Sequence, residues 1–125
     1  IKAFVEAERY NGPSIIIAYA PCINHGIKGG MSVAQLEEKK AVQAGYWNLF
    51  RFNPELKAQG KNPLTIDSKA PTSSYRDFIL NEVRYSSLTR AFPDRAEELF
   101  DKAEEQATDR YDHLQKLSKM YDPEN

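Results

Sequence analysis

The chain has 125 residues, a formal net charge of −1 and one cysteine. This length suits one domain, and the balanced charge excludes a protein that binds nucleic acid or anionic membranes mainly by electrostatics. A single cysteine excludes an internal disulfide framework and fits a reducing compartment. No apolar run reaches the roughly 18 residues of a membrane-spanning helix, and no basic-then-apolar pattern suggests secretion. We therefore expect a cytoplasmic protein with no nucleic-acid or membrane partner.

The start of the sequence predicts a helix followed by a strand. Apolar residues recur every three or four positions over residues 1–11, which is typical of a helix. This segment lacks a starting methionine and begins inside the helical pattern, so we expect a cut edge there. Gly12-Pro13 ends the helix. Residues 14–20 are continuously apolar, which predicts a strand covered on both faces, and a loop is expected over 21–31.

A second helix is predicted over residues 33–44. Ser32 is placed as its N-cap, and Gln35, three residues later, would complete a capping box. Gly45 suits the C-terminal end of this helix.

Residues 46–53 predict a second strand, which Asn53-Pro54 ends. Residues 64–67 predict a short third strand, and we expect a hairpin that pairs 48–52 with 64–67, although its connection is long. Together with the preceding helices, these strands predict the α/β class for the first half of the chain.

The second half of the sequence is helical. One helix is predicted from Tyr75 to Phe92, and Pro93 fits the first turn of the next helix. Over 94–120 the apolar residues form a narrow stripe at a spacing of three and four. Its members, with one position just beyond the helix, are residues 96, 99, 100, 103, 107, 111, 114, 117 and 121.

Cys22 is the first candidate functional residue, because it lies in the loop after the predicted strand 14–20. In open α/β sheets, ligands bind beyond the carboxyl ends of strands. Thiolates ligate iron–sulfur clusters, usually as four cysteines, and the amides of residues 23–25 could donate to the sulfur. Its co-ligands would then lie outside this chain. The alternatives are an inert buried cysteine and a nucleophile with His25 as base and Asn24 as orienting group.

Three further features have a functional and a structural interpretation. The glycine-rich segment 26–30 precedes a helix, as in anion-binding turns, but it matches no nucleotide-binding fingerprint, and we interpret it as a loop that leads into helix 33–44. The stripe of helix 94–120 is either a partner-binding seam or, as we prefer, a face that packs on its own domain. His113 lies among charged residues and is expected to be solvated.

Four stretches carry a resemblance to a known family: residues 12–14, 18–26, 41–51 and 59–71. In this order they resemble the C-terminal part of the pyruvate:ferredoxin (flavodoxin) oxidoreductases, also called pyruvate synthases. The match is specific across residues 12–71 and looser over the helical second half.

The resemblance implies a large, usually homodimeric parent enzyme. Such enzymes decarboxylate pyruvate oxidatively with coenzyme A, which gives acetyl-CoA, carbon dioxide and reduced ferredoxin or flavodoxin. Their cofactors are thiamine diphosphate with magnesium and three [4Fe–4S] clusters. The resemblance also divides this chain into residues 1–71, the end of the thiamine diphosphate-binding α/β domain, and residues 72–125, a helical C-terminal tail.

The resemblance gives Cys22 a role, since it stands where the family has the distant fourth ligand of the cluster nearest the thiamine. No residue matches a catalytic position of the family, so the expected catalytic set is empty. We expect the isolated chain to be inactive, to bind neither a cluster nor thiamine diphosphate, and to associate with another copy. The remainder of the parent enzyme would be its partner. The alternative function is a stand-alone, non-catalytic interaction or scaffolding module.

Overall fold

The computed structural model describes residues 1–123, which form a mainly helical chain with one small antiparallel sheet. In chain order the elements are α1 (Lys2–Arg9), a 3-10 turn (Met31–Val33), α2 (Ala34–Gln43), β1 (Phe50–Phe52), α3 (Glu55–Ala58), β2 (Leu64–Ile66), α4 (Tyr75–Asn81), α5 (Val83–Ser86), α6 (Leu88–Ala91) and α7 (Pro93–Met120). A mixture of helices and a small sheet is compatible with the expected α/β class.

The segment after α1 corrects the predicted strand over 14–20, because these residues form neither helix nor strand. A strand exists only where its backbone groups pair with a neighbour. In the described part of the chain, β1 and β2 pair with each other and leave this segment without a partner. Its isoleucine side chains are consequently uncovered: Ile15 is 84% exposed and Ile17 72%.

Helix α2 lies where the sequence predicts it, but its start differs. The helix begins after the 3-10 turn with Val33 as N-cap, and no side chain caps it. The predicted capping box of Ser32 and Gln35 is therefore wrong, because Ser32 lies inside the 3-10 turn. At the other end, Gly45 has a φ of +73°, the left-handed conformation that glycine adopts without strain.

The hairpin is confirmed, with shorter strands than predicted. Phe50 pairs with Ile66 and Phe52 with Leu64 in antiparallel register. The connection between the strands contains α3, which explains its length.

The predicted helix from Tyr75 to Phe92 is interrupted. Glu82 has extended backbone angles, φ −81° and ψ 120°, and separates α4 from α5. A further break at Ser87 separates α5 from α6. By contrast, Pro93 begins α7 as predicted, and α7 continues for 28 residues.

The core lies where α2, α4 and α7 meet, with partly buried aromatic residues around it. The stripe of α7 packs on this chain, as the sequence analysis prefers: Phe100 is 2% exposed, although Leu99 at the edge is 44% exposed. The buried cluster consists of Ala41, Ala44, Tyr75, Phe78, Ile79, Ala96, Phe100 and Ala107.

Candidate functional site

Cys22 lies on an exposed turn, which contradicts the interpretation of an inert buried cysteine. The carbonyl of Cys22 accepts the amide hydrogens of His25 at 3.1 Å and of Gly26 at 2.9 Å. These bonds close a one-turn loop that presents the side chains of Cys22 and His25 to solvent. The amide of His25 is thus bound to a carbonyl oxygen of the turn.

The chain after this turn is fixed by an isolated antiparallel bridge between Ile27 and Glu82. The amide of Val83 donates to the carbonyl of Gly26 at 3.1 Å, and the amide of Lys28 donates to the carbonyl of Asn81 at 3.0 Å. Ile27 is 6% exposed and Glu82 is 2% exposed. The bridge therefore anchors the downstream flank of the Cys22 turn in the protein interior.

The chain before the turn is fixed through Tyr19. Its hydroxyl donates a short hydrogen bond to Oε1 of Glu82, and its ring packs against the rings of Tyr46 and Trp47 with centroids 5.5 and 6.1 Å apart. Burial, and then the hydrogen bond to Glu82, raise the pKa of Tyr19 well above its usual range. The phenol therefore stays protonated and remains a donor across the physiological pH range.

A guanidinium completes the environment of the Glu82 carboxylate. Nε of Arg84 lies 3.1 Å from Oε2 of Glu82, an ion pair whose angle falls short of hydrogen-bond geometry. Nη2 of Arg84 donates to the hydroxyl of Tyr46 at 2.6 Å, and that hydroxyl lies 2.9 Å from the hydroxyl of Tyr85. Because a buried charge is costly unless it is paired, this network explains how Glu82 is tolerated in the interior.

The glycine-rich segment 26–30 is a structured connection to α2. The amide of Lys28 is bound to Asn81, and the amide of Gly30 donates to the carbonyl of Ile27 at 2.9 Å. These amides are already satisfied, so the segment does not offer them to an anion, in agreement with the loop interpretation.

Among the described residues, Cys22 could supply one ligand to a metal site whose other ligands come from other sequence. Among residues 1–123, no group of three or more histidine, cysteine, aspartate or glutamate residues is arranged to hold a metal ion. Cys22 offers an exposed, soft sulfur donor on an anchored turn, which is what one ligand of a cluster shared with other sequence requires. His113 is exposed on α7, as expected.

Comparison with known proteins identifies the relatives of this chain. It is 57% identical over 118 residues to a pyruvate:ferredoxin oxidoreductase of Moorella thermoacetica. It is 49% identical over 118 residues to a pyruvate-flavodoxin oxidoreductase of Klebsiella pneumoniae. Each alignment covers 94% of this chain and 10% of the relative.

The resemblance to one segment of the pyruvate:ferredoxin and pyruvate-flavodoxin oxidoreductases is therefore confirmed. A further relative from Euglena gracilis, a mitochondrial pyruvate dehydrogenase [NADP(+)], is 39% identical over 117 residues, which are 94% of this chain and 6% of that protein. The chain thus spans a tenth or less of the length of these relatives. No family model matches the sequence.

Within the part of the chain that the structure describes, the helices are too short or too polar to cross a membrane.

Sequence reasoning located Cys22 but missed Glu82, the residue on which both flanks of the Cys22 turn converge. Glu82 lies 60 positions further along the chain, within a helical pattern. An acidic residue at a position of the pattern that faces the core was the one local signal of its burial.

Proposed function

We propose that this chain is the part of a pyruvate:ferredoxin (flavodoxin) oxidoreductase that contributes Cys22 as a ligand to the [4Fe–4S] cluster nearest thiamine diphosphate. The observation that carries the proposal is an exposed cysteine on a turn anchored at both flanks. The turn lies within the stretch 18–26 that resembles the family. Residues 1–71 would complete the thiamine diphosphate-binding domain, and residues 72–125 would be the helical C-terminal tail.

The role of this chain is to hold a thiolate in place. When bound in the complete enzyme, thiamine diphosphate with magnesium supplies the carbon chemistry and the clusters supply the path for electrons. Cys22 would present its sulfur from a turn whose carbonyl is already occupied by the amides of His25 and Gly26. Such a preorganised ligand spends little ordering entropy on coordination.

The complete protein would act as a cytoplasmic oxidoreductase. Its substrates would be pyruvate and coenzyme A, and its electron acceptor would be ferredoxin or flavodoxin. The names of the relatives support pyruvate as the substrate and these two proteins as acceptors. This chain alone would have no catalytic activity.

Replacement of Cys22 by alanine in the complete enzyme tests the proposal. We expect one cluster signal to be lost or remodelled in the electron paramagnetic resonance spectrum of the reduced enzyme, with the other two unchanged and with impaired electron delivery to the acceptor. The matched control is His25→Ala, an exposed residue of the same turn. Three unaltered signals in Cys22→Ala would show that Cys22 is not a ligand. Lost activity in both variants with intact clusters would favour a cysteine–histidine nucleophile instead.

The second candidate is the stand-alone interaction module, which the exposed isoleucines of segment 14–20 favour. The reading frame upstream of Ile1 separates the two functions. In the family that this chain resembles, a Gly-Asp-Gly motif for magnesium and diphosphate lies upstream of this segment. A continuous reading frame with that motif and paired cysteines supports the oxidoreductase, and a start codon there supports the module.

A further inference from the structure

Residues 20–25 form a short, mostly exposed loop. The residues on either side of this loop both contact the segment around Glu82. Tyr19, at its start, is bound to the side chain of Glu82. Gly26 and Ile27, at its end, are bound to the backbone around Glu82. The segment around Glu82 therefore joins both ends of the loop: the Glu82 side chain holds the upstream end, and the backbone of its neighbours Asn81 and Val83 holds the downstream end.

We infer that Glu82 is a positioning residue for the Cys22 turn: its side chain holds Tyr19 on the upstream flank, and its extended backbone directs Asn81 and Val83 to the downstream flank, so that the two together form a clamp. The function that this positioning serves, presentation of a cluster ligand, rests on the proposed function. The clamp itself is a property of the described chain, and it predicts that the turn loosens when either half is removed.

The break between α4 and α5 is what makes the clamp available. Inside a continuous helix, the amide of Val83 would be bound to the carbonyl four residues before it. The extended angles of Glu82 instead turn this amide toward the carbonyl of Gly26, and turn the carbonyl of Asn81 toward the amide of Lys28. The interrupted helix thus provides a one-residue strand against which the loop pairs.

The side chain of Glu82 provides the other half of the clamp. Its carboxylate is buried, and it is held by Arg84 on one oxygen while the other accepts the hydroxyl of Tyr19. A hydrogen bond to an ionised acceptor is stronger than one between neutral groups. It also ties down a long aromatic side chain only three residues before Cys22.

Gly26 packs against Val83 at the point where the loop enters the bridge. Gly26 has a φ of +74°, and a Cβ at this position would lie 3.4 Å from Cγ2 of Val83. Any residue with a side chain would be strained at this positive φ, so the loop enters the bridge through a conformation that favours glycine.

The test compares two variants that each remove one phenolic hydroxyl from the same aromatic cluster. Tyr19→Phe removes the hydroxyl bound to Glu82, and the control Tyr85→Phe removes the one that faces Tyr46. Both are made in the complete enzyme, and hydrogen exchange of the amides of His25 and Gly26 is measured by mass spectrometry. We expect exchange there to rise about tenfold in Tyr19→Phe, and to change less than about twofold in Tyr85→Phe. Equal exchange in the two variants would overturn the inference.

Two further measurements cover the case in which Tyr19→Phe does not fold and separate the clamp from the proposed function. If Tyr19→Phe fails to fold, Glu82→Met replaces it, because methionine has a similar length and removes the oxygen that accepts the Tyr19 hydroxyl. Unchanged exchange in that variant also overturns the clamp. The midpoint potential of the cluster that Cys22→Ala perturbs is expected to shift in Tyr19→Phe and not in Tyr85→Phe. Faster exchange in Tyr19→Phe, together with unaltered clusters in Cys22→Ala, would retain the clamp and refute the proposed function.

Discussion

Arg51 is the residue that ties the N-terminal helix to the hairpin. Its Nη1 lies 2.6 Å from both carboxylate oxygens of Glu6 in α1. Its Nε and Nη2 donate to Asp67, just after β2, at 2.7 and 2.9 Å. The planar guanidinium suits such two-sided pairing, which lysine cannot reproduce.

We expect Arg51→Ala to lower the free energy of unfolding by about 1–2 kcal/mol, because it removes two partly exposed ion pairs with good geometry. The control is Lys102→Ala, which removes a solvent-screened, exposed pair with Glu98 within α7 and is expected to leave the free energy of unfolding nearly unchanged. Urea denaturation at neutral pH measures both. Equal losses of unfolding free energy in the two variants would show that the geometry of the Arg51 ion pairs adds no stability beyond that of an exposed pair.

The stabilisation by Arg51 depends on pH through Asp67. The hydrogen bond from Arg51 lowers the pKa of Asp67 below its ordinary value of 3.8. A carboxylate whose pKa is lower in the folded state contributes stability above its unfolded pKa and loses it as the pH falls through the folded pKa. The difference between wild type and Arg51→Ala should therefore be constant above about pH 5 and shrink below about pH 4. A difference that stays constant down to pH 2 would contradict this coupling.

At the scale of elements, α7 holds the helical part together. Phe100 faces the core beneath Arg76, whose guanidinium carbon lies 5.2 Å from the ring centroid. Arg76, which lies on α4, also pairs with Glu97 and Asp101 of α7. Helix α4 is therefore joined to α7 by both apolar and charged contacts.

We expect Phe100→Ala to destabilise the chain by about 3–5 kcal/mol, because it leaves a cavity in a closed core. The control is the neighbouring Leu99→Ala, whose side chain is 44% exposed and whose loss should cost about 1 kcal/mol or less. Thermal or urea unfolding distinguishes the two. Similar losses would mean that α7 does not bury the face that the structure assigns to it.

At the scale of the whole molecule, the chain offers one cysteine thiol. The single cysteine is Cys22, and a [4Fe–4S] cluster usually takes four. We expect anaerobic reconstitution of the 125-residue chain to leave it without stoichiometric iron and sulfide. A monomer loaded with four iron atoms would contradict this.

The exposed segment 14–20 predicts association of the isolated chain. Burial of an isoleucine contributes about 1.5–3 kcal/mol, and an uncovered apolar segment with unpaired backbone is a site of self-association. We expect a dimer or higher oligomer in sedimentation analysis at micromolar concentration. The double variant Ile15→Ser/Ile17→Ser should shift it toward monomer, whereas the control Leu99→Ser on α7 should not. A wild-type chain that is strictly monomeric would refute the prediction.

Much of the local structure could be predicted from the sequence because its causes are local. Apolar spacing indicated α1 and α7, and Pro93 marked the first turn of α7. The pairing of β1 with β2 followed from two short apolar segments. The capping box failed because Ser32 was taken up by a 3-10 turn, a choice between two similar local conformations that the residue pattern does not resolve.

The sequence by itself determined the resemblance to pyruvate:ferredoxin (flavodoxin) oxidoreductases, the choice of Cys22 as candidate residue and most helices, since these depend on residue order and periodicity. Only the tertiary structure decided that segment 14–20 finds no strand partner among residues 1–123, and that the helix predicted from Tyr75 breaks at Glu82. Both outcomes depend on hydrogen bonds between residues far apart in the chain, which no local pattern encodes. The clamp between Tyr19 and Glu82 is of the same kind, because it exists only once folding has brought the two residues together.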